Sequence, residues 1–220
     1  MTVQVKICGL TRVEDAAAVV AAGADFAGLV FHPGSPRHLR PEQAKAIAEC
    51  LRNRVRIVAL FVDPVDDFIA EMLAAAGADL IQLHGREPPV RVAEVRARFG
   101  RPVIKAIPIC DESDFETLPG QESVADMLLF DSRPGSGGAA GGHGRAFDWQ
   151  LLRGRRIAKP WLLAGGLGPE NVARAVQCSG APAVDVSSGV EAEPGTKSGE
   201  AIKAFVAAAR AAHQEAEKLS

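Results

Sequence analysis

Two side chains that can transfer protons stand at the ends of predicted strands. Cys8 follows a stretch in which apolar and polar residues alternate, which is typical of a strand with one buried face. Asp131 follows the apolar run 127–130. A thiolate is a base, and a partly desolvated carboxyl group is suited to giving up a proton. On opposite sides of a small substrate, the pair would suit a proton-shifting isomerisation.

Each of the two residues also has a plainer interpretation. Thr11 and Glu14 fit a capping box, so we predict a helix directly behind Cys8 whose positive end favours the thiolate. The alternative is that Cys8 is a small buried residue that only packs. Asp131 could equally be an exposed residue that caps the loop after its strand.

Glycines that could bring backbone N–H groups close to a phosphate follow the last three predicted strands. The candidates, with one serine, are Gly142, Gly144, Gly165, Gly166, Ser188 and Gly189. A short helix behind such a loop would add its dipole to the site. Glycine is also an ordinary turn residue, so either late loop alone is weak evidence. The glycine-rich segment 133–145 is interpretable as a lid over a substrate or as a flexible linker.

Further polar residues are expected to face the same region. Arg37, in a loop with two prolines, could clamp a substrate carboxylate, although a solvated arginine is the commoner case. Gln82 and His84 should share a strand face, where they either line a substrate pocket or satisfy each other inside the sheet. Lys6 also faces inward by alternation, and a buried ammonium needs a partner. We predict that this partner is Asp185 on the last strand, which is also a candidate pocket residue.

Eight strand patterns, each followed by a helical pattern, organise the chain. The letters of 21–25 recur as 75–79, each time between a helix and a strand, as repeated βα units do. Eight such units in 220 residues predict an α/β fold, a (β/α)8 TIM barrel forming a single domain over residues 1–220. A doubly wound open sheet is the competitor, but no G-x-G-x-x-G opens the first helix. In such a barrel the carboxyl ends of the strands carry the site.

The composition excludes several classes of protein. The chain is 47% apolar with a formal net charge of −2, so we expect neither a nucleic-acid nor a membrane partner. The four cysteines lie far apart without a C-x-x-C, which argues against a metal site and a disulfide scaffold. No signal peptide or membrane span is indicated. We therefore expect a soluble cytoplasmic protein, as a monomer or a homodimer.

Six segments, in this order, resemble the phosphoribosylanthranilate isomerase family. They are 6–11 (KICGLT), 35–37 (SPR), 82–85 (QLHG), 141–144 with 147–149 (GGHG, FDW), 163–167 (LAGGL) and 184–191 (VDVSSGVE). The resemblance spans nearly the whole chain and implies a (β/α)8 barrel of tryptophan biosynthesis that needs no cofactor. Its substrate would be N-(5-phosphoribosyl)anthranilate and its product 1-(2-carboxyphenylamino)-1-deoxyribulose 5-phosphate.

Carried over residue by residue, the resemblance implies that Cys8 is the base, Asp131 the acid and Arg37 the ligand of the anthranilate carboxylate. The phosphate would lie on the glycine-rich loop after the sixth strand and on the loops after the seventh and eighth. His143 departs from the family, because many members have Thr or Asn there. The alternatives are another sugar-phosphate isomerase or epimerase, and a non-catalytic sensor of a phosphorylated ligand. The first usually carries metal ligands or paired carboxylates, and the second would not need Cys8 opposite Asp131.

Overall fold

Eight parallel strands close into a ring in the computed structural model, which describes residues 2–132 and 147–218, with side chains to residue 212. Consecutive strands pair along the chain, and the eighth pairs with the first. The strands are β1 (Gln4–Cys8), β2 (Phe26–Val30), β3 (Arg56–Phe61), β4 (Leu80–Leu83), β5 (Val103–Ile109), β6 (Met127–Ser132), β7 (Trp161–Leu163) and β8 (Ala183–Val186). The predicted closed barrel is confirmed.

Helices connect the strands on the outside of the ring. In the described part of the chain they are α1 (Val13–Ala22), α2 (Pro41–Leu51), α3 (Asp66–Ala76), α4 (Pro89–Phe99), α5 (Leu118–Val124), α6 (Val172–Ser179) and α7 (Gly199–Lys218). Short 3-10 helices occupy Glu112–Thr117, Trp149–Leu152 and Ser188–Val190. An antiparallel hairpin of β9 (Glu191–Glu193) and β10 (Thr196–Lys197) follows β8, and its strands are too short for any alternation to predict them.

The five-residue repeat in the sequence closes two βα units in the same way. α1 and α3 end at Gly23 and Gly77, whose φ angles of 72° and 56° lie in the left-handed region that favours glycine. Two residues later, the carboxylates of Asp25 and Asp79 accept a backbone N–H from β1 and β3, at 2.8 and 2.7 Å. The glycine therefore ends the helix, and the aspartate ties the next turn to the neighbouring strand.

Alternation along the strands separates an outer core from the interior of the ring. In β1, Val5 and Ile7 join the core between strands and helices, whereas Lys6 and Cys8 face inward. An apolar plug fills the interior; its members are Phe26, Val58, Leu80, Ile104, Ala106, Leu129, Leu162, Ala164 and Ala183. The polar inward-facing residues therefore gather above this plug, toward the carboxyl ends of the strands.

The predicted capping box at the start of α1 is wrong. The N-cap position belongs to Arg12, and no side chain caps the helix there. The Thr11 hydroxyl instead donates a hydrogen bond to the carbonyl of Gly195, in the turn between β9 and β10. A contact from far along the chain has thus replaced the local one that the sequence pattern suggested.

Candidate active site

Two adjoining depressions open at the carboxyl ends of the strands. Their empty volumes, mouths included, are about 560 Å³ and about 380 Å³. Asp131, Asp185 and Ser187 line both, so the two form one elongated pocket. The first is otherwise lined by Cys8, Val30, His32, Ser35, Arg37, Leu60, Val62, Gln82 and His84, and the second by Ser132, Ala164, Gly165, Gly166, Leu167, Val186 and Ser188. The structure therefore brings Cys8 and Asp131 to one cavity.

The Cys8 thiol is buried, with 5% of the residue exposed. Burial raises the pKa of this thiol; the Lys6 ammonium lowers it and the Asp185 carboxylate raises it again, so the net shift is upward. The net effect of these neighbours therefore favours the thiol, whereas the sequence predicted a preference for the thiolate. The cost of burying a thiolate exceeds the stabilisation that neighbouring cations provide.

The predicted ion pair between Lys6 and Asp185 is confirmed. The two residues are register partners on β1 and β8, and Lys6 Nζ lies 2.9 Å from Asp185 Oδ1. Burial lowers the pKa of Lys6, but the charges and hydrogen bonds of Asp185 and Cys8 together more than reverse this effect, so the net pKa is raised. The pair thus places a cation directly below the Cys8 thiol.

A chain of side-chain contacts runs from Gln82 through His84 to Asp131. Gln82 Nε2 lies 2.9 Å from His84 Nδ1, and His84 Nε2 lies 3.2 Å from Asp131 Oδ2. Since the amide donates to Nδ1, the ring hydrogen sits on Nε2 and points at Asp131. Asp131 Oδ1 also accepts the backbone N–H of Ser132 at 2.8 Å. Both contacts direct an N–H donor at the Asp131 carboxyl group.

A second buried ion pair holds the end of β4 from outside the ring. Lys105 Nζ donates to the Glu87 carboxylate at 2.7 Å, and both side chains are at most 3% exposed. The same ammonium donates to the carbonyls of Leu83 and Gly85, at 3.3 and 2.8 Å. These two residues flank His84 in the sequence. The pair therefore fixes the backbone on both sides of His84.

Arg37 is held by Glu191 on β9. Its Nε and Nη2 donate to the two carboxylate oxygens, at 2.7 and 2.8 Å. Lys197 on β10 donates to the same carboxylate at 2.8 Å and to the Ser187 carbonyl at 3.0 Å. Burial raises the pKa of Glu191, but the hydrogen bonds from Arg37 and Lys197 carry it below its ordinary value. Burial lowers the pKa of Lys197, and Glu191 only partly offsets this shift.

Two glycines leave space for the reactive side chains. Gly9 has φ 78°, and a Cβ there would lie 2.3 Å from Arg37 Cδ. A Cβ on Gly28 would lie 2.7 Å from Cys8 Sγ and 3.0 Å from Cys8 Cα. Neither distance is compatible with an undisturbed side chain, so glycine at these positions lets Arg37 and Cys8 occupy the pocket wall.

The candidate phosphate residues fall in different places. Gly165, Gly166 and Ser188 line the second depression, at the end of the pocket away from Arg37. Gly165 and Gly166 have φ angles of 88° and 62°. A turn built on glycines can present backbone N–H groups, which suits an anion. Gly142 and Gly144 lie outside the described residues.

Gly189 does not line the depression but lies behind it. A Cβ there would come within 1.9 Å of the Leu167 carbonyl oxygen. The loops after β7 and β8 therefore touch backbone to backbone at this point. Glycine is required at position 189 for the two loops to pack together. A phosphate site built from these loops would depend on that packing.

Several pocket residues carry no chemical signal in the sequence. Val30, Leu60 and Val62 form an apolar wall beside Cys8. Their position follows from strand alternation, but only the closed ring shows that they face the same cavity. Beside the pocket, Glu191 ends the segment 184–191 but was given no role from the sequence, and Lys197 was not singled out, because the hairpin that carries them leaves no pattern in the sequence.

Neither a metal-ligand cluster nor a membrane-spanning helix occurs among the described residues. Within residues 2–132 and 147–218, no three His, Cys, Asp or Glu side chains are grouped as metal ligands. In the same part of the chain, no helix is both long enough and apolar enough to cross a membrane. All four cysteines are free thiols.

Known proteins resemble the chain over almost its whole length. Residues 5–208 match the family model described as N-(5'phosphoribosyl)anthranilate (PRA) isomerase. The N-(5'-phosphoribosyl)anthranilate isomerase of Paracoccus denitrificans is 52% identical over 212 residues, which cover 96% of this chain and 99% of the relative.

Solved structures agree with this match. The phosphoribosyl anthranilate isomerase of Thermotoga maritima superimposes with a TM-score of 0.86 at 37% identity, over 95% of this chain and 99% of that one. A phosphoribosyl anthranilate isomerase in complex with reduced 1-(o-carboxyphenylamino)-1-deoxyribulose 5-phosphate gives 0.82 at the same identity and coverage. With a family model, a close relative and two solved folds in agreement, the chain belongs to the phosphoribosylanthranilate isomerase family.

Proposed function

We propose that this chain converts N-(5-phosphoribosyl)anthranilate to 1-(2-carboxyphenylamino)-1-deoxyribulose 5-phosphate in tryptophan biosynthesis, with Cys8 as base and Asp131 as acid. One observation carries the assignment of roles: both side chains line a single pocket at the carboxyl end of the barrel. Membership of the family supplies the reaction, and the pocket supplies groups of the right chemistry to perform it.

The two ends of the pocket fit the two ends of this substrate. The first depression offers the Arg37 guanidinium and an apolar wall, which suit an aromatic ring bearing a carboxylate. The second depression offers Gly165, Gly166 and Ser188, which suit a phosphate. Cys8 and Asp131 lie between, where the ribose would be. Gln82 Oε1, buried and without a partner among the described residues, is an acceptor for a sugar hydroxyl.

The first chemical step opens the ribose ring. Asp131 gives a proton to the ring oxygen while the anthranilate nitrogen donates its electron pair to C1, so the C1–O bond breaks and an iminium ion forms. The contacts that Asp131 makes with His84 and Ser132 stabilise the carboxylate produced. Stabilising a group in the form that the transition state generates is the source of the acceleration.

The second step moves a proton from C2. The iminium ion withdraws electrons and acidifies the C2–H bond, and the Cys8 thiolate removes that proton to give an enolamine. The Lys6 ammonium below Cys8 stabilises the thiolate that this step requires. Protonation at C1 and loss of the C2 hydroxyl proton then give the ketone, so the reaction needs no oxidant or reductant.

The test compares variants of the two proposed groups with a matched control. Cys8→Ala and Asp131→Asn should each lower kcat by about 10²–10⁴-fold, the usual contribution of a positioned acid or base. Cys110→Ala, at an exposed position after β5, should leave kcat unchanged. Turnover is followed by the loss of fluorescence of freshly made phosphoribosylanthranilate, and circular dichroism verifies that each variant is folded.

The same variants separate the competing functions. If folded Cys8→Ala and Asp131→Asn keep near-full turnover, the proton-transfer assignment is refuted. A sensor would show no turnover in the wild-type protein and would bind the product equally well with either variant. A different sugar-phosphate isomerase would fail to consume phosphoribosylanthranilate while acting on another aminosugar phosphate.

A further inference from the structure

We propose that Glu191 is a positioning residue for substrate recognition, which orients Arg37 so that one edge of its guanidinium is presented to the aryl carboxylate. The inference rests on the proposed function and deepens it. It assigns a task to the hairpin β9–β10, which otherwise has none in the reaction. Three charged side chains, Arg37, Glu191 and Lys197, form a cluster beside the pocket.

The hydrogen bonds of Arg37 are divided between two edges of the guanidinium. Glu191 takes the side edge, receiving hydrogen bonds from Nε at 2.7 Å and from Nη2 at 2.8 Å. A guanidinium has five N–H donors in a rigid plane, so three remain, two on Nη1 and one on Nη2. Two of these, one on each Nη nitrogen, form the end edge, which can donate to a second carboxylate in bidentate fashion. Glu191 therefore fixes the plane of the group without consuming the edge that binds ligand.

Orienting Arg37 with Glu191 alone would weaken its attraction for a substrate carboxylate, because the Glu191 charge neutralises the Arg37 charge. Lys197 offsets that neutralisation. Its ammonium is completely buried, donates to Glu191 Oε1 at 2.8 Å, and is anchored by the Ser187 carbonyl at 3.0 Å. With all three ionised, the cluster carries one net positive charge. An incoming carboxylate meets a rigid, singly charged receptor rather than a flexible arginine.

The surrounding backbone supports the same interpretation. Gly9 has no Cβ, and a Cβ there would collide with the Arg37 stem at 2.3 Å. The Ser35 hydroxyl accepts the Arg37 backbone N–H at 3.1 Å. The stem, backbone and head of Arg37 are thus each held. Such constraint suits selection of a ligand by shape as well as by charge.

The experiment asks whether Glu191 acts specifically on recognition of the carboxylate. Binding of reduced 1-(o-carboxyphenylamino)-1-deoxyribulose 5-phosphate is compared with binding of the same compound lacking the carboxyl group, by titration calorimetry. Glu191→Gln keeps the shape but weakens the bidentate bond. We expect its Kd for the carboxylated compound to rise about 10- to 100-fold, the order of one charge-assisted hydrogen bond. The Kd for the compound without the carboxyl group should change less than about 2-fold.

Two further variants exclude simpler explanations. Glu193→Gln removes the same charge from an exposed position on the same strand and should alter neither Kd. In an Arg37→Lys background, where a bidentate edge no longer exists, Glu191→Gln should have no further effect on the ratio of the two Kd values. If the Glu191→Gln single variant does not fold because Arg37 is no longer held, the double variant still provides the ratio of the two Kd values.

Each alternative outcome overturns the proposal in a recognisable way. A role in charge balance alone predicts tighter binding of the carboxylated compound by Glu191→Gln, because the cluster gains a positive charge. A role in folding alone predicts equal weakening of both compounds. Wild-type protein that turns over no phosphoribosylanthranilate and binds neither compound would refute the proposed function itself, and that result is distinct from the other two.

Discussion

Replacing Lys105 by methionine is expected to be among the most destabilising single changes in the barrel wall. Its ammonium is 3% exposed and makes three hydrogen bonds, to Glu87 and to the carbonyls of Leu83 and Gly85. Glu87, 2% exposed, also accepts the backbone N–H groups of Gly85 and Asp63. Methionine fills the space of lysine, so the change isolates the loss of the charge.

The magnitude follows from what is left behind. Breaking a buried pair by removing one partner leaves an uncompensated charge and costs about 3–5 kcal/mol of unfolding free energy. For a protein of this size, each kcal/mol lowers the Tm by about 2–4 °C, so the expected drop is about 6–20 °C. The double variant Lys105→Met with Glu87→Gln should recover most of the loss. It removes both charges and keeps an acceptor for the two backbone N–H groups.

Urea unfolding followed by tryptophan fluorescence provides the assay. Trp161 packs on Phe130 in the barrel wall, with ring centroids 5.5 Å apart, so its emission reports the closed ring. Arg96→Met is the control, because it breaks the exposed pair with Asp126 and should cost much less. If Lys105→Met is no less stable than this control, or if the double variant is worse than the single one, the reasoning is refuted.

Three other predictions concern Cys8. Gly28→Ala should lower kcat about 10- to 100-fold, because its methyl group would lie 2.7 Å from Cys8 Sγ and must displace the thiol. Steady-state turnover measures kcat, and an unchanged circular dichroism spectrum verifies the fold. A variant with the kcat of the wild-type protein would contradict the prediction. The pH dependence of kcat/KM follows from the raised pKa of the thiol: the rate should climb with increasing pH as the thiolate forms, with its midpoint above the ordinary pKa of a cysteine. Lys6 lowers that pKa, so Lys6→Met should move the climb to still higher pH, and a shift toward lower pH would show that Lys6 does not act on the thiol.

The arrangement of the ring was predictable because it depends on periodicity. The alternation in β1 placed Lys6 inward, and the count of eight strands made β8 its neighbour. Together they predicted the contact with Asp185 that the structure shows at 2.9 Å. A regular alternation predicts which side chains face inward because every strand contributes to the same closed surface.

The errors arose where a local pattern competed with distant parts of the chain. Thr11 has the sequence of an N-cap, but its hydroxyl reaches a carbonyl 184 residues away. Cys8 lies before a helix, yet burial raises the pKa of its thiol and the Asp185 carboxylate, 177 positions away in the sequence, raises it further. The task inferred for Glu191 depends on Lys197 folding back through a hairpin of five strand residues. None of these contacts can be derived from neighbours in the sequence.

The pocket has one end made of main chain and another made of side chains. At Gly165 and Gly189, a Cβ would lie 2.6 Å from the backbone nitrogen of Ser132 and 1.9 Å from the Leu167 carbonyl oxygen, so most replacements would shift the backbone itself. The opposite end is formed by ordinary side chains such as Val30 and Leu60, which can be exchanged without moving a strand. Mutational drift should therefore retain the proposed phosphate-binding end of the pocket while changing the end near Arg37. New substrates would then share the phosphorylated sugar and differ in the group attached to it.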